Sequence, residues 1–425
     1  MSMNITLPAQ RRALVTEKFP VTILFALQYG ALVIFPAITH DTQPLSLIIT
    51  ICTVGVGVAL LVEALRAPLG RRSSKPIAIA PKATMWIVGV GWLASIGQGI
   101  SGGVAYANQT SQAAPSHLAA VFTPLSGWTI IGTVLVMAQA AQGTVSRTRA
   151  WWVVLVGFIL ELALSLKAAL LSDVVIYFFV VTFLAVLLGI IRWRWVVVAL
   201  FAIPIVLPAL YNLKTQERSA ITAVAVPGQQ PNYGDRLRLD REMAQVEDFS
   251  TIPARNITTP SLPTLLLFGL VPRVFDQSRG TLNTGENLSV AVGGSPTSSD
   301  TATSFGDAYI FEGWRGVIIY SGLSALATGM AIRRRGPWAF ALLGVIAQCC
   351  LLIEEPYPDM LAGLLQGCVS WAVAIGFAQL LTRKSARAAE GEQWEPASEP
   401  GHRLLDRVVR WWRIRPTPVR QSIRW

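Results

Sequence analysis

The sequence predicts an all-α polytopic integral membrane protein, with about ten transmembrane helices, both termini cytoplasmic and one large extracytoplasmic loop between spans 7 and 8. Three observations carry the prediction. The 425 residues are 52% hydrophobic and only 14% charged, where a soluble domain carries about 25% charge. Apolar runs near span length recur along most of the chain, matching a hydrocarbon core of roughly 30 Å crossed at 1.5 Å per residue. The basic residues alternate in step with those runs, as the positive-inside rule requires.

The elements follow in order. Residues 1–19 form a cytoplasmic tail holding Arg11, Arg12 and Lys18. The apolar run after it is span-length and lacks a small-residue exit, so it is read as a span and not as a cleavable signal. Spans 1–7 occupy residues 20–212, near 20–39, 45–65, 85–106, 118–141, 150–170, 174–191 and 195–212. An extracytoplasmic loop with short helices covers 213–313. Spans 8–10 occupy 314–381, near 314–332, 338–354 and 359–381. A basic tail, 382–425, closes the chain. Of the 35 Lys and Arg, 25 fall in the tails and in the connections at 66–82, 147–149, 192–194 and 333–335. Ten alternating spans put all of these on one side. The opposite connections at 40–44, 107–117 and 355–358 contain none. The net charge of +11 is mostly this bias and gives no argument for nucleic acid.

Several segments have their own logic. The runs "TVGVGVALL" and "GVGWLASIGQGISGG" lie inside spans, where small residues let helices approach closely. They do not follow strands, so a phosphate-cradling loop is not expected. In the tail, "HRLLDRVVRWWRIR" (402–415) sets an apolar stripe of Leu, Val and Trp against arginine, the pattern of a helix on an anionic leaflet. Cys52, Cys349, Cys350 and Cys368 fall in apolar runs and read as small buried hydrophobes. His40, His117 and His402 make no metal-ligand spacing, and no cofactor or metal site is expected.

The loop 213–313 is where chemistry is expected. Loops of such length are usually functional or disordered. Its "SLPTLLLFGLV" (261–271) is apolar but too short to span, which suits an interfacial or re-entrant segment. Arg273 and Arg279 follow that segment, with Pro272, Gly280 and Gly285 as turn residues. At the membrane surface a guanidinium fork can hold phosphate oxygens bidentately. Lys167, at the outer end of span 5, is either a second anion contact or a snorkelling side chain. Glu161, in the same span, faces the bundle as a site residue or as a hydrogen-bonded structural carboxylate. In "SFGDAYIFEGWRG" (304–316), Asp307 could act as a general base or orient a hydroxyl. Glu312 could do the same, pair with Arg315, or complement a helix dipole. His117, Glu354 and Glu355 sit at outer span ends and read as structural or loop residues.

The order of these features is similar to that in the Wzy-type O-antigen and oligosaccharide polymerases, within the O-antigen polymerase and ligase superfamily. The residues that carry the resemblance are Pro272–Arg273, Arg279–Gly280, Ser304, Gly306–Asp307–x–Tyr309, and Gly313 with Gly316 opening a span. "LSLKAALL" (164–171), with Lys167, looks like a corresponding segment, and Arg218 is similar in position to a family arginine. The resemblance covers roughly residues 150–335. Many relatives have Lys-Pro where Arg279–Gly280 stands, and often Glu where Asp307 stands. The ligase branch uses a histidine in its large outer loop, and 213–313 contains none, which argues against that branch.

The resemblance implies inverting, metal-independent glycosyl transfer on the outer leaflet of a bacterial inner membrane. Donor and acceptor would be polyprenyl-diphosphate-linked oligosaccharides, joined into a cell-surface polysaccharide, with membrane lipid and a chain-length regulator or flippase as further partners. Arg273 and Arg279, with Arg218 and Lys167, would hold the leaving diphosphate. Asp307 would activate the acceptor hydroxyl, with Tyr309 and Glu312 as substrate contacts. The alternatives are a transporter or flippase for a lipid-linked or anionic substrate, and a metal-dependent glycosyltransferase using a polyprenyl-phosphate sugar. The first generally shows two related halves, and none is found. The second generally carries acidic motifs in its first outer loop, where this chain has only Asp41. A non-enzymatic scaffold has no specific feature behind it.

Overall fold

A computed structural model describes residues 19–30, 34, 46–66, 79–101, 117–168, 171–192, 194–195, 209–210, 212–213, 216, 246, 264, 267, 270–271, 303–333, 336–351 and 357–392. The described residues are helical, without a strand among them. In chain order the helices are α1 (Pro20–Tyr29), α2 (Ser46–Arg66), α3 (Pro81–Ile100), α4 (His117–Ser126), α5 (Trp128–Ala141), α6 (Arg147–Lys167), α7 (Ser172–Leu187), α8 (Thr303–Arg333), α9 (Pro337–Cys350) and α10 (Tyr357–Glu392). Among the described residues, six segments are long and apolar enough to cross a membrane: Ser46–Arg66, Pro81–Ile100, Val121–Ala141, Arg147–Lys167, Thr303–Ile332 and Met360–Arg383. Three shorter apolar helices, Pro20–Tyr29, Asp173–Leu187 and Pro337–Cys350, accompany them. The chain is therefore a polytopic helical membrane protein. Helices coincide with nine of the ten expected spans; most of the seventh, near 195–212, lies outside the described residues.

Local chemistry explains the helix ends. Pro20, Pro81 and Pro337 stand in the first turn of α1, α3 and α9, where a missing N–H costs nothing. Ser146 caps α6, its hydroxyl accepting from the Arg149 N–H at 3.3 Å. The expected fourth span is broken into α4 and α5 near Pro124, which removes a helix hydrogen bond. The Pro124 carbonyl accepts instead from Ser370 Oγ of α10 at 2.8 Å.

Packing places α5 at the centre, with nearly every residue buried. It meets α3 closely, Gly91 lying against the Trp128–Thr129 backbone and Gly132 against Val88, as small-residue packing in membranes predicts. The larger apolar core joins α1, α2, α5, α7, α8, α9 and α10, and a second joins α3, α5, α9 and α10. On the outside, Leu93 is 70% and Ile100 73% exposed, and Trp86, Leu65 and Leu380 also project outward. Such a belt suits hydrocarbon as the surrounding solvent.

Contacts between helix ends fix their relative directions. Near the end of α2, Glu63 accepts from the Val21 and Thr22 N–H groups at the start of α1, both at 3.1 Å. Ala80 N, before α3, donates to Thr382 Oγ1 of α10 at 3.0 Å. Gln139 Nε2, near the end of α5, donates to the Ile79 carbonyl at 3.0 Å. Arg66 packs on Gly329 near the end of α8. At the opposite face, Gln28 Nε2 donates to the Leu351 carbonyl at 3.4 Å. The helix ends carrying Arg66, Lys82, Arg147, Arg333 and Arg383 thus gather on one basic face, as alternating spans require.

Candidate functional site at the folded-back start of α8

The expected eighth span begins at 314; the helix in the structure begins at Thr303, and it is not continuous. Gly313 has φ 59° and ψ −145°, a left-handed backbone that a side chain would disfavour. The helix reverses there into two pieces, residues 303–312 and 314–333. Positions 305 and 320 in one straight helix would lie about 22 Å apart. Instead the Phe305 and Tyr320 ring centroids are 5.4 Å apart, edge to face. Gly316 faces the Ala308 carbonyl so closely that a Cβ would collide with it. The first piece is a half-helix folded against the second.

Aromatic packing holds the fold-back. Phe305 meets Phe25 of α1 edge-on at 4.8 Å, and Phe25 stacks on Tyr320 at 5.5 Å. The Phe305 ring also covers Gly55, midway along α2. Tyr320 Oη and Ser324 Oγ both donate to the Cys350 carbonyl, at 3.1 and 3.4 Å. The half-helix therefore starts at mid-height of α2, inside the bundle. Its first residue, Thr303, has φ 67°, an uncommon conformation for a β-branched residue. Such strain costs on the order of 1–3 kcal/mol and concentrates at functional sites. The Thr303 hydroxyl accepts from the Gly306 N–H at 3.5 Å, a capping contact for the new N-terminus.

This geometry moves Asp307. A sequence reading sets it just before a span, at the outer surface. The fold-back carries it into the bundle, where Thr303, Ser304 and Asp307 are all buried and Asp307 has no exposure. A buried carboxylate is costly without partners, and Asp307 is engaged in contacts there. It lies in the first turns of the half-helix, where the dipole favours negative charge.

Toward the outer end the half-helix presents Tyr309 and Glu312. Tyr309 packs edge-on against Trp314 at 5.1 Å. Glu312 Oε2 is 3.9 Å from Arg315 Nε, so the Arg315 pairing foreseen for Glu312 is present. Tyr357, at the start of α10, is buried, and its hydroxyl has no hydrogen-bond partner among the described residues. Burial pushes the Tyr357 phenol above its ordinary range; the Glu312 charge adds to this and Arg315 opposes it.

The remaining candidates divide. Arg218, Arg273 and Arg279 lie outside the described residues, as do Glu354 and Glu355, and the side chain of His117 is likewise not described. Lys167 is exposed at the end of α6. That helix packs against α3, α5 and α7, whereas α8 packs against α1, α2, α9 and α10. Lys167 and Asp307 thus belong to different parts of the bundle. Glu161 does face inward, its Oε1 accepting from Ser95 Oγ at 3.3 Å. Cys52, Cys349 and Cys350 are buried and Cys368 half-buried, all as free thiols.

Two charged residues are built into the interior: Glu63, which sequence reasoning passed over, and Arg66, which it counted only as a basic loop residue. Glu63 is fully buried, and besides the two amides of α1 it takes the Thr22 hydroxyl at 2.7 Å. Arg66 is 9% exposed and sits against α8. An acid within the apolar run "VALLVEALR" was the available signal. Comparison with protein-family models, with curated proteins and with solved structures gave no match.

Proposed function

We propose that the chain is a membrane glycosyltransferase that polymerises polyprenyl-diphosphate-linked oligosaccharide repeat units into a cell-surface polysaccharide. The transfer is inverting and metal-independent, at the outer leaflet of a bacterial inner membrane, with the basic face cytoplasmic. The observation that carries the reading is the fold-back of α8. Gly313 and Gly316, the two glycines of the stretch that resembles a motif of Wzy-type polymerases, are those the reversal needs, and they bring Asp307 into the bundle.

In this reading Asp307 takes the proton of the acceptor hydroxyl as that oxygen attacks the anomeric carbon from the face opposite the diphosphate. Tyr309 and Glu312, beside Trp314, contact the sugar. Arg273 and Arg279, with Arg218, stabilise the charge developing on the departing diphosphate. Lys167, away from α8, is kept as a contact to lipid-borne substrate at the same membrane surface.

The test is incubation of the purified protein with a lipid-linked repeat unit. Release of polyprenyl diphosphate with a glycan ladder, unchanged by chelator, is the expected result. Substrate recovered intact would reject the reading. A transporter or flippase is the second reading, favoured by one observation: a half-helix that begins at mid-height inside the bundle is a common device for holding substrates in transporters. Movement of intact lipid-linked oligosaccharide across a liposome, without chain growth, would select it.

A further inference from the structure

A second polar assembly lies inside the bundle, apart from α8. The inward stripe of α6 runs through Ala150, Val153, Gly157 and Ser165, and Glu161 falls on it at helical spacing. Ser95 of α3, which donates to Glu161 at 3.3 Å, also lies 3.1 Å from Thr129 Oγ1 of α5. Further along, the Tyr177 hydroxyl of α7 donates to the Val154 carbonyl and is bonded to Thr133, each at 3.3 Å. One turn beyond Glu161, Ser165 is 2% exposed and its Oγ has no hydrogen-bond partner among the described residues. Asp173, the second residue of α7, is exposed at the outer end of that helix, and its charge acts on Glu161 from there.

The charges here do not balance. Around Glu161, α3 presents Ser95, α5 Thr129 and Thr133, α7 Asp173 and Tyr177, and α6 itself Ser165 and Lys167. Lys167 is exposed and forms no ion pair among the described residues. Asp173 stands in the first turn of α7, where the helix dipole offsets a negative charge. Glu161, mid-bundle, has no such help, and an ionisable group at that depth commonly marks an ion pathway.

We propose that Glu161, with Ser95 and Ser165, forms a binding site for one monovalent cation, a proton or Na+, inside the membrane-spanning bundle, with Asp173 at its outer mouth. Carboxylate and hydroxyl oxygens are hard donors suited to either ion, and the unpartnered Ser165 Oγ is a ready ligand. The site stands whether the chain polymerises glycans or moves them.

The test uses the purified full chain in detergent and dicyclohexylcarbodiimide, an apolar reagent that forms a stable adduct with protonated carboxyl groups in membranes. Adducts are located by peptide mass spectrometry. Glu161 is expected to be modified in Na+-free buffer, increasingly so as pH falls, and Glu161→Gln to lose that adduct. Protection by added Na+, and not by choline, identifies sodium as the ion; absence of protection identifies the proton. Ser165→Ala, a mild change, is expected to shift the pH or Na+ dependence of labelling. Glu161 unmodified at every pH without Na+ would overturn the proposal, as would a labelling curve unmoved by Ser165→Ala.

Discussion

The Phe305 and Tyr320 rings meet at 5.4 Å although fifteen positions separate them on what is otherwise one helix. That contact defines the reversal at Gly313 and sets the depth of Asp307, so the first prediction concerns the glycines. Gly316→Ala drives a Cβ into the Ala308 carbonyl and is expected to cost about 1–3 kcal/mol, as overpacking does. Gly313→Ala meets no neighbour and is expected to cost only its backbone strain, about 1–3 kcal/mol, because φ 59° with ψ −145° is a region kept almost wholly to glycine. Thermal unfolding in detergent checks both. Equal stability of Gly316→Ala and the parent would refute the fold-back.

Asp307 separates chemistry from structure. Asp307→Asn preserves shape and removes the proposed base, so polymer is expected to vanish while the protein remains in the membrane at normal level. Arg273→Ala is expected to do the same through the diphosphate. Polymer of normal length and yield in either variant would remove that residue from the mechanism. Membrane immunoblots and glycan gels are the measurements.

Glu63 ties α1 to α2 through three hydrogen bonds, two of them to backbone amides. Glu63→Ala is expected to destabilise by roughly 2–3 kcal/mol, as loss of a charged capping acceptor does. Thr22→Val is expected to cost less, about 1 kcal/mol, since the amide bonds survive. A double-mutant cycle should show the two changes to be coupled.

Tyr357 makes a pH prediction. Its phenol is raised above the ordinary value of 10.0, chiefly by burial. Below that value the phenol is neutral in both folded and unfolded chains, and its contribution is fully present. As pH rises past it, the unfolded chain ionises first, so stability falls through the raised folded value. Tyr357→Phe is expected to flatten the alkaline loss. At neutral pH it should leave stability unchanged or slightly raised, because the hydroxyl it removes has no partner. Melting temperature against pH distinguishes these outcomes.

Much of this architecture is legible in one dimension. Apolar run length gave helices at nine expected spans, and the alternation of Arg66, Lys82, Arg147 and Arg383 is matched by helix ends sharing a face. The inward aspect of Glu161 follows from its place in an apolar span, and the Glu312–Arg315 pairing from spacing. The start of α8 was not legible, because "SFGDAYIFEG" is too polar and too short to read as a span. Its burial depends on the ring of Phe305 finding Phe25 and Tyr320, residues remote in sequence. Glu63 escaped for a related reason: its partners are backbone amides 41 and 42 positions away.

The sequence alone determined that this protein is built of membrane-spanning helices and where most of the described ones run, since hydrocarbon thickness and desolvation of charge act on composition, residue by residue. Only the tertiary structure decided that α8 turns back at Gly313, that Asp307 is enclosed, and that Glu161 shares a hydroxyl network with α3 and α5. Those facts depend on the shapes of side chains meeting across helices, and no local pattern of polarity encodes them.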